Sequence, residues 1–298
     1  MLNIEKLENL KNINFSNKDF LQFLQKESIL IYKVFQFLAE GKKQVAIDLF
    51  LFWRDIHPLN IIKNSDYTFT EQNLENIKQA LIFNQENPFN YNLIKNLNRL
   101  KERINWKDSV FYEFFIKIFN GLEVCLSNNV YINKYSDLEF ILSAIGGNIS
   151  CFSFFFLFPE VFKFCDFNLI NKFGTDCFYW ELLKNNNTLI QHNKLFICFD
   201  DLDYFHCKKE DFLENNNNEN IIKLTKFQLQ KLKESFLYIM NNSKDHPLEI
   251  KIILDTIIKN NIKEIDFALK NNWSLSLDFV DLKKSPSIPI IKNFFKRK

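Results

Sequence analysis

The chain has 298 residues, of which 47% are hydrophobic and 25% are charged, so it can build one large core or two ordinary ones. Lys and Arg total 38 against 36 Asp and Glu, and this balance predicts no broad basic surface for nucleic acid. Only 5 Gly and 6 Pro accompany 35 Phe. So few chain breakers argue against a Gly-rich phosphate loop or a strand-rich sandwich, and they favour an all-α protein.

The N-terminal residues alternate charged and apolar side chains and lack the apolar stretch and cleavage site of a signal peptide. The most apolar run, 151–158, ends at Pro159, well short of the roughly 20 residues that a membrane-spanning helix needs. We therefore predict a cytoplasmic protein that does not insert into a membrane. The scattered cysteines are predicted to be reduced core thiols; they are Cys125, Cys151, Cys165, Cys177, Cys198 and Cys207.

Apolar residues recur at helical spacing from Phe20 to Leu38 and from Val45 to Leu51, on either side of Gly41. Further Gly or Asn breaks fall at 120–121, 146–148, 185–187 and 260–261. Gly and Asn tolerate the left-handed conformation that ends a helix, so each break predicts a short turn between antiparallel helices.

The breaks indicate an internal repeat. Segment 133–148 aligns without a gap with segment 171–186, at an offset of 38 residues, and Phe140 then matches Phe178. Asn186 and Asn261 are separated by about twice that offset. A period in the high thirties is typical of a helix pair plus a connecting turn.

These segments resemble the ankyrin repeat family. Residues 165–174 match its Ala-Asp-Val-Asn exit and the next turn, with Asn171 in place of the turn Asp and Gly174 as the turn glycine. Segments 41–50 and 262–275 look like second helices of such units. The likeness is best at 118–190, weaker at 30–52 and 246–295, and poor at 60–110 and 190–245.

The resemblance implies an all-α solenoid of six or seven antiparallel helix pairs, in one elongated domain over 1–298 with a looser break at 214–220. The Thr-Pro-Leu-His sequence of the family is missing, so irregular stacking is expected. A helical array of another kind, with Asn-rich loops, stays open as the alternative.

By this resemblance the chain is a protein–protein interaction module that binds another protein without catalysis, cofactor or metal. The partner would lie in the concave groove, at Leu142 and Trp180, and along the turn tips. The tip positions are Tyr135, Asp137, Phe173 and Thr175. Trp180 is either a groove anchor or a residue packed against a neighbouring helix, and the sequence leaves both open.

A second hypothesis is a metal-dependent enzyme centred on 198–207. Asp200, Asp201 and Asp203 could offer oxygens to a divalent cation. His192, Cys198, His206 and Cys207 could imitate a zinc-binding set. Neither set has the spacing of a known metal motif, so an acidic loop beside core cysteines is the preferred interpretation.

A third hypothesis is a structural helical subunit of a larger assembly. The four histidines stand in no catalytic signature, which argues against an enzyme. The basic tail 292–298 is interpreted as a solvated end rather than a site for membrane or RNA.

Overall fold

The computed structural model describes residues 38–58, 109–127, 132–213, 218–277 and 279. Helices dominate this part of the chain and it contains no strand, so the all-α prediction is confirmed. The helices are α1 Glu40–Ile56, α2 Ser109–Leu126, α3 Tyr135–Leu142, α4 Asn148–Leu157, α5 Pro159–Phe162, α6 Phe167–Lys184, α7 Asn186–Gln191, α8 Phe199–Tyr204, α9 Glu219–Asn242 and α10 Leu248–Lys270. The tail 292–298, the segment 60–108 and residues 214–217 lie outside the described residues.

A π-helical turn, Ser143–Gly147, joins α3 directly to α4. The side-chain amide of Asn148 donates to the carbonyls of Ser143, at 3.1 Å, and Ala144, at 3.0 Å. The backbone N–H of Asn148 also donates to the carbonyl of Ser143, which is the i to i+5 bond of a π-helix. The result is one helix over Tyr135–Leu157, long and apolar enough to cross a membrane by length and composition. However, 56% of its most apolar window is buried inside the protein, as in the core helix of a soluble protein.

The glycines do not lie at chain-reversing turns between antiparallel helices, and this part of the sequence interpretation is wrong. Gly146 and Gly147 lie in the π turn, Gly121 lies within α2 and Gly174 within α6, while Gly41 is in the first turn of α1. None of the described glycines has a positive φ angle. Their role is not to reverse the chain.

Of the two predicted Asn breaks, one separates two helices and the other does not. At 185–187 the break is real, since α6 ends at Lys184, Asn185 caps it and α7 starts at Asn186. By contrast, Asn261 lies inside α10 and is buried.

Helix α6 occupies the centre of the bundle and packs against α3, the π turn, α4, α9 and α10. Its N-terminus is capped by Asp166, whose carboxylate accepts hydrogen bonds from the backbone N–H of Asn168 (2.9 Å) and Leu169 (3.3 Å). The backbone N–H of Asp166 donates to Nε2 of His246 at 3.2 Å. Segment 165–174 is therefore the start of a long helix and not an ankyrin turn.

Contacts between distant parts of the chain exclude a solenoid, because in a solenoid each repeat touches only its neighbours. The ring of Trp53 in α1 lies 5.7 Å from that of Phe178 in α6. Lys42 and Glu160, 118 residues apart, form an ion pair at 2.6 Å. The predicted row of helix pairs is wrong, and the helices surround a central helix instead.

Phenylalanine fills much of the core. The ring of Phe115 in α2 lies 5.2 Å from Phe52 in α1 and 5.0 Å from Phe152 in α4, in edge-to-face geometry. All six cysteines are unpaired thiols, and burial raises the pKa of Cys125 and Cys151 to about 12. These thiols are held in their protonated form.

Candidate functional site

A cavity of about 170 Å³ lies between α3, α6 and α9. Every lining residue except Leu232 carries a polar group, although the cavity lies against the middle of the bundle. The lining residues are Tyr135, Glu139, Lys172, Asp176, Tyr179, Gln228, Lys231, Leu232 and Ser235.

Helical spacing explains why these side chains meet. Lys172, Asp176 and Tyr179 are separated by four and three residues, so they lie on one face of α6. On α9, Gln228 and Ser235 are seven residues apart and again share a face. The two faces oppose each other, and the first turns of α3 complete the wall.

Asp176 is the most buried carboxyl group of the cavity, with 3% of its surface exposed. Its Oδ2 accepts a hydrogen bond from Oγ of Ser235 at 2.5 Å, and its Oδ1 lies 3.9 Å from Nζ of Lys172. Burial raises the pKa of Asp176 to about 6, and the charge of Lys172 and the Ser235 hydrogen bond limit the rise. The carboxyl group can therefore gain or lose a proton close to neutral pH.

Lys231 presents its ammonium group to an aromatic ring at the same cavity. Its Nζ lies 3.4 Å from the ring centroid of Tyr135 and 5.9 Å from that of Phe227, within the range of a cation–π interaction. Burial, followed by the negative charges of Asp176 and Glu139, raises the pKa of Tyr135, so its hydroxyl stays protonated. The wall thus holds a fixed cation and a neutral hydroxyl side by side.

A chain of hydrogen bonds connects the cavity to α8. The hydroxyl of Tyr179 donates to Oε1 of Gln228 at 2.9 Å, and Nε2 of Gln228 donates to Oδ2 of Asp201 at 2.7 Å. Burial raises the pKa of Tyr179 well above its usual value. Because both ends of the Gln228 amide are engaged, its orientation is fixed.

The residues that the ankyrin resemblance assigned to a partner have different surroundings. Four of them are buried in the core: Leu142, Phe173, Thr175 and Trp180. Tyr135 lines the cavity, and Asp137 is exposed, its carboxylate accepting the backbone N–H of Lys134 at 3.0 Å. Contact with a partner at Tyr135 or Asp137 stays a prediction.

Trp180 is a core residue with a satisfied indole. Its Nε1 donates to Oε2 of Glu264 at 3.2 Å, and its ring lies 6.0 Å from Trp273. Lys184 forms ion pairs with Glu264, at 3.6 Å, and with Glu181, at 2.8 Å. Of the two interpretations left open, packing against neighbouring helices is the one that these contacts support.

The acidic segment 198–207 forms α8 and its flanks. Asp200 and Asp203 are exposed, whereas Asp201 is partly buried and accepts the Gln228 hydrogen bond. Among the described residues, no three His, Cys, Asp or Glu side chains come together as a metal site would require. His192, Cys198, His206 and Cys207, the four proposed zinc ligands, all belong to the described part of the chain and form no such group.

One feature of the sequence indicates the cavity. Polar residues at spacings of four and seven interrupt the apolar faces of α6 and α9, and such interruptions of a buried face mark candidate sites.

No protein-family model matches the sequence. No curated protein matches it either. A solved structure described as a dehydrosqualene synthase in complex with a ligand does match, with a TM-score of 0.67 over 87% of this chain and 87% of that one. The fold resembles that of dehydrosqualene synthase. The two sequences are 14% identical, so the likeness concerns the fold.

This likeness corrects the ankyrin resemblance, because the matched fold is a helical bundle and not a row of repeats. The non-catalytic protein-binding module is corrected with it, since that function rested on ankyrin units that the fold lacks. The expectation that the chain is no enzyme is also overturned, because the protein that shares the fold is an enzyme. The cytoplasmic location, the single domain over 1–298 and the lack of a nucleic-acid partner stay predictions.

Proposed function

We propose that this chain is an enzyme of the isoprenoid-synthase type, and that its substrate places a phosphate-bearing end in the cavity between α3, α6 and α9. The fold shared with a dehydrosqualene synthase supports the class of enzyme. The observation that carries the proposal is the convergence of two ammonium groups and one titratable carboxyl group, those of Lys172, Lys231 and Asp176, in a single cavity. A fold alone would not suffice, because one fold serves many functions.

The two lysines supply the charge that an anionic substrate end requires. Each ammonium group carries three donors and acts as a point charge toward phosphate oxygens. Both lie at a cavity wall that is shielded on one side by the bundle, where electrostatic attraction is stronger than in open water.

Asp176 would act as the general acid that protonates the leaving diphosphate. Isoprenoid units are activated as diphosphates, and the leaving diphosphate gains negative charge as its bond to carbon breaks. A protonated Asp176 can pass its proton to a diphosphate oxygen at that moment, and its pKa of about 6 suits a proton donor near neutral pH. Ser235 holds the carboxyl group in place at 2.5 Å.

The hydrocarbon part of the substrate needs a surface outside the cavity, since about 170 Å³ is below the roughly 300 Å³ at which sites for drug-sized ligands begin. Aromatic rings continue from Lys231: Phe227 lies 5.3 Å from Phe205, which lies 5.0 Å from Tyr204. Tyr204 is 78% exposed. We assign the isoprenoid chain to these rings.

The cavity residues do not fit a magnesium site, although Mg²⁺ commonly accompanies diphosphates. Two carboxylates line the cavity, Glu139 and Asp176, and two ammonium groups balance their charge. Asp176 is already engaged by Ser235 and lies close to Lys172. No catalytic step is therefore assigned to a metal ion.

The experiment incubates the purified chain with a fifteen-carbon prenyl diphosphate and measures released pyrophosphate and extracted products. We expect release by the native chain, and a rate lower by about 100-fold for Asp176→Asn, which keeps the shape but cannot donate an acid proton. Asp203→Asn, at an exposed position on α8, is the matched control and should retain the native rate. If neither pyrophosphate nor a new hydrocarbon is formed from prenyl diphosphates of ten to twenty carbons, the proposed function is wrong.

A further inference from the structure

The cavity lacks the carboxylates of a magnesium site, but its two lysines supply positive charge. Asp176 has a hydrogen-bond donor and a lysine beside it, and Glu139 is exposed to solvent, so the cavity wall offers no pair of uncommitted carboxylates to a cation. The ammonium groups of Lys172 and Lys231 line the same cavity. They provide the positive charge that a metal ion would otherwise bring.

We infer that Lys172 and Lys231 bind the diphosphate end of the substrate directly, with no metal ion between them, and that this binding is coupled to protonation of Asp176. The inference rests on the proposed function, because it concerns the same cavity and names how the anionic end is held there. It assigns a metal-independent anion site to α6 and α9.

The ring of Tyr135 positions the ammonium group of Lys231 at the cavity in the absence of a ligand. Its Nζ lies 3.4 Å from the ring centroid of Tyr135, and the ring attracts the cation without using any of its hydrogen-bond donors. The N–H groups that point away from the ring therefore stay available for phosphate oxygens. The protonated hydroxyl of Tyr135 adds another donor at the same wall.

Lys172 and Asp176 form the part of the site that responds to pH. At 3.9 Å their pairing is loose, and an ionised Asp176 would both compete for the ammonium group and repel the diphosphate. Protonation of Asp176 removes both effects and releases Lys172 to the ligand. Asp176 also faces Ser235 on α9 and, on α3, Glu139 and Tyr135, with Lys231 across the cavity.

The direction of the pH effect follows from linkage. Burial has already raised the pKa of Asp176 to about 6, and a bound anion beside the carboxylate raises it further. The complex thus takes up a proton when it forms above pH 6. Affinity must then rise as the pH falls through that region.

The experiment titrates inorganic pyrophosphate into the native chain by calorimetry, with EDTA present, at about pH 5.5 and pH 7.5. We expect binding without any metal, and stronger binding at the lower pH. Lys172→Met and Lys231→Met should each weaken it by about tenfold or more, as expected for loss of hydrogen bonds to a charged group. Lys233→Met is the control, because Lys233 pairs with Asp266 of α10 at 2.5 Å and lies outside the cavity wall.

Asp176→Asn isolates the proton coupling. Pyrophosphate changes its own protonation in this pH range, but it does so equally for both proteins, so the difference between native and variant reports Asp176. The variant should bind with a smaller pH dependence than the native chain. Lys172→Gln and Lys231→Gln replace the methionine variants if a thermal melt shows that those do not fold.

Binding that vanishes in EDTA, or lysine variants that bind like Lys233→Met, would overturn the inference. The proposed function fails separately: metal-free binding of pyrophosphate without turnover of any prenyl diphosphate retains the anion site and rejects the enzyme. Turnover that requires Mg²⁺ and tolerates loss of both lysines would retain the enzyme and reject the metal-free anion site.

Discussion

Gly146 and Gly174 lie against each other where the π turn crosses α6, so closely that neither position has room for a methyl group. A Cβ atom on Gly146 would lie 2.5 Å from the carbonyl oxygen of Gly174. A Cβ atom on Gly174 would overlap the carbonyl oxygen of Gly146 and the side chain of Ser150. The backbone atoms on the opposite helix cannot rotate away as the end of a side chain could, so the spacing of these two helices is set by the absence of side chains.

Gly174→Ala should destabilise the protein by about 3 kcal/mol, because the added methyl group forces two buried helices apart. Urea denaturation monitored by circular dichroism measures the change. Gly41→Ala is the matched control, since a Cβ atom there meets nothing within 4 Å. It should be neutral or stabilising by up to about 1 kcal/mol, and equal loss in both variants would refute the close-contact explanation.

Trp180→Ala should cost about 4 kcal/mol of unfolding free energy, as expected when a buried aromatic side chain is removed. The indole is 1% exposed and donates to Glu264, so the variant also removes one hydrogen bond to that carboxylate. Tyr204→Ala, at a position that is 78% exposed, should change stability by less than about 0.5 kcal/mol. If Trp180→Ala were as stable as this control, the placement of Trp180 in the core would be wrong.

Gln228→Leu should destabilise the protein by about 2 kcal/mol, because it removes the partner of both the Tyr179 hydroxyl and the Asp201 carboxylate. Gln230→Leu, on the exposed side of the same helix, serves as its control. Chemical denaturation of the two variants measures how much the hydrogen bonds from Tyr179 through Gln228 to Asp201 contribute to stability. Equal midpoints would mean that water replaces the lost hydrogen bonds without cost.

Asp176 should make the native protein less stable as the pH rises. Its folded pKa, about 6, exceeds the ordinary value of 3.8, so the native state binds the proton more tightly than the unfolded chain does. The stabilising effect of that proton is fully present below pH 3.8 and is lost as the pH passes 6. A shift of this size corresponds to about 3 kcal/mol.

Unfolding free energies at pH 4 and pH 7 check this prediction. Relative to the native chain, Asp176→Asn should gain stability between these values, since Asn keeps an acceptor for Ser235 and carries no charge. Asp203→Asn should follow the native curve. Parallel curves for the native chain and Asp176→Asn would show that burial does not perturb this carboxyl group.

The sequence was sufficient to predict an all-α protein, because scarce Gly and Pro combined with helical periodicity leave few alternatives. The prediction that glycines mark breaks between helices was wrong. Gly146 and Gly174 permit close helix packing, and Gly121 has the same role against Ile145 and Ala144. Sequence spacing cannot distinguish that role from a left-handed helix end, since glycine suits both.

The cavity could be predicted only in part. The spacing of Lys172 and Asp176 places them on one face of a helix, and the spacing of Gln228 and Ser235 does the same for another. Nothing in either segment indicates that these faces meet, because that depends on how distant helices pack. The pKa of Asp176 is likewise a property of burial, which the chain acquires only when α3 and α9 cover α6.

The π turn at Ser143–Gly147 decouples two surfaces of one long helix. A residue in a helix advances by about 100° around the axis, so one additional residue in a turn rotates everything beyond it. Before the turn, Tyr135 and Glu139 face the cavity; after it, Phe152 faces the aromatic core. An insertion or deletion of a single residue within the turn would therefore rotate these two surfaces relative to each other by about 100°.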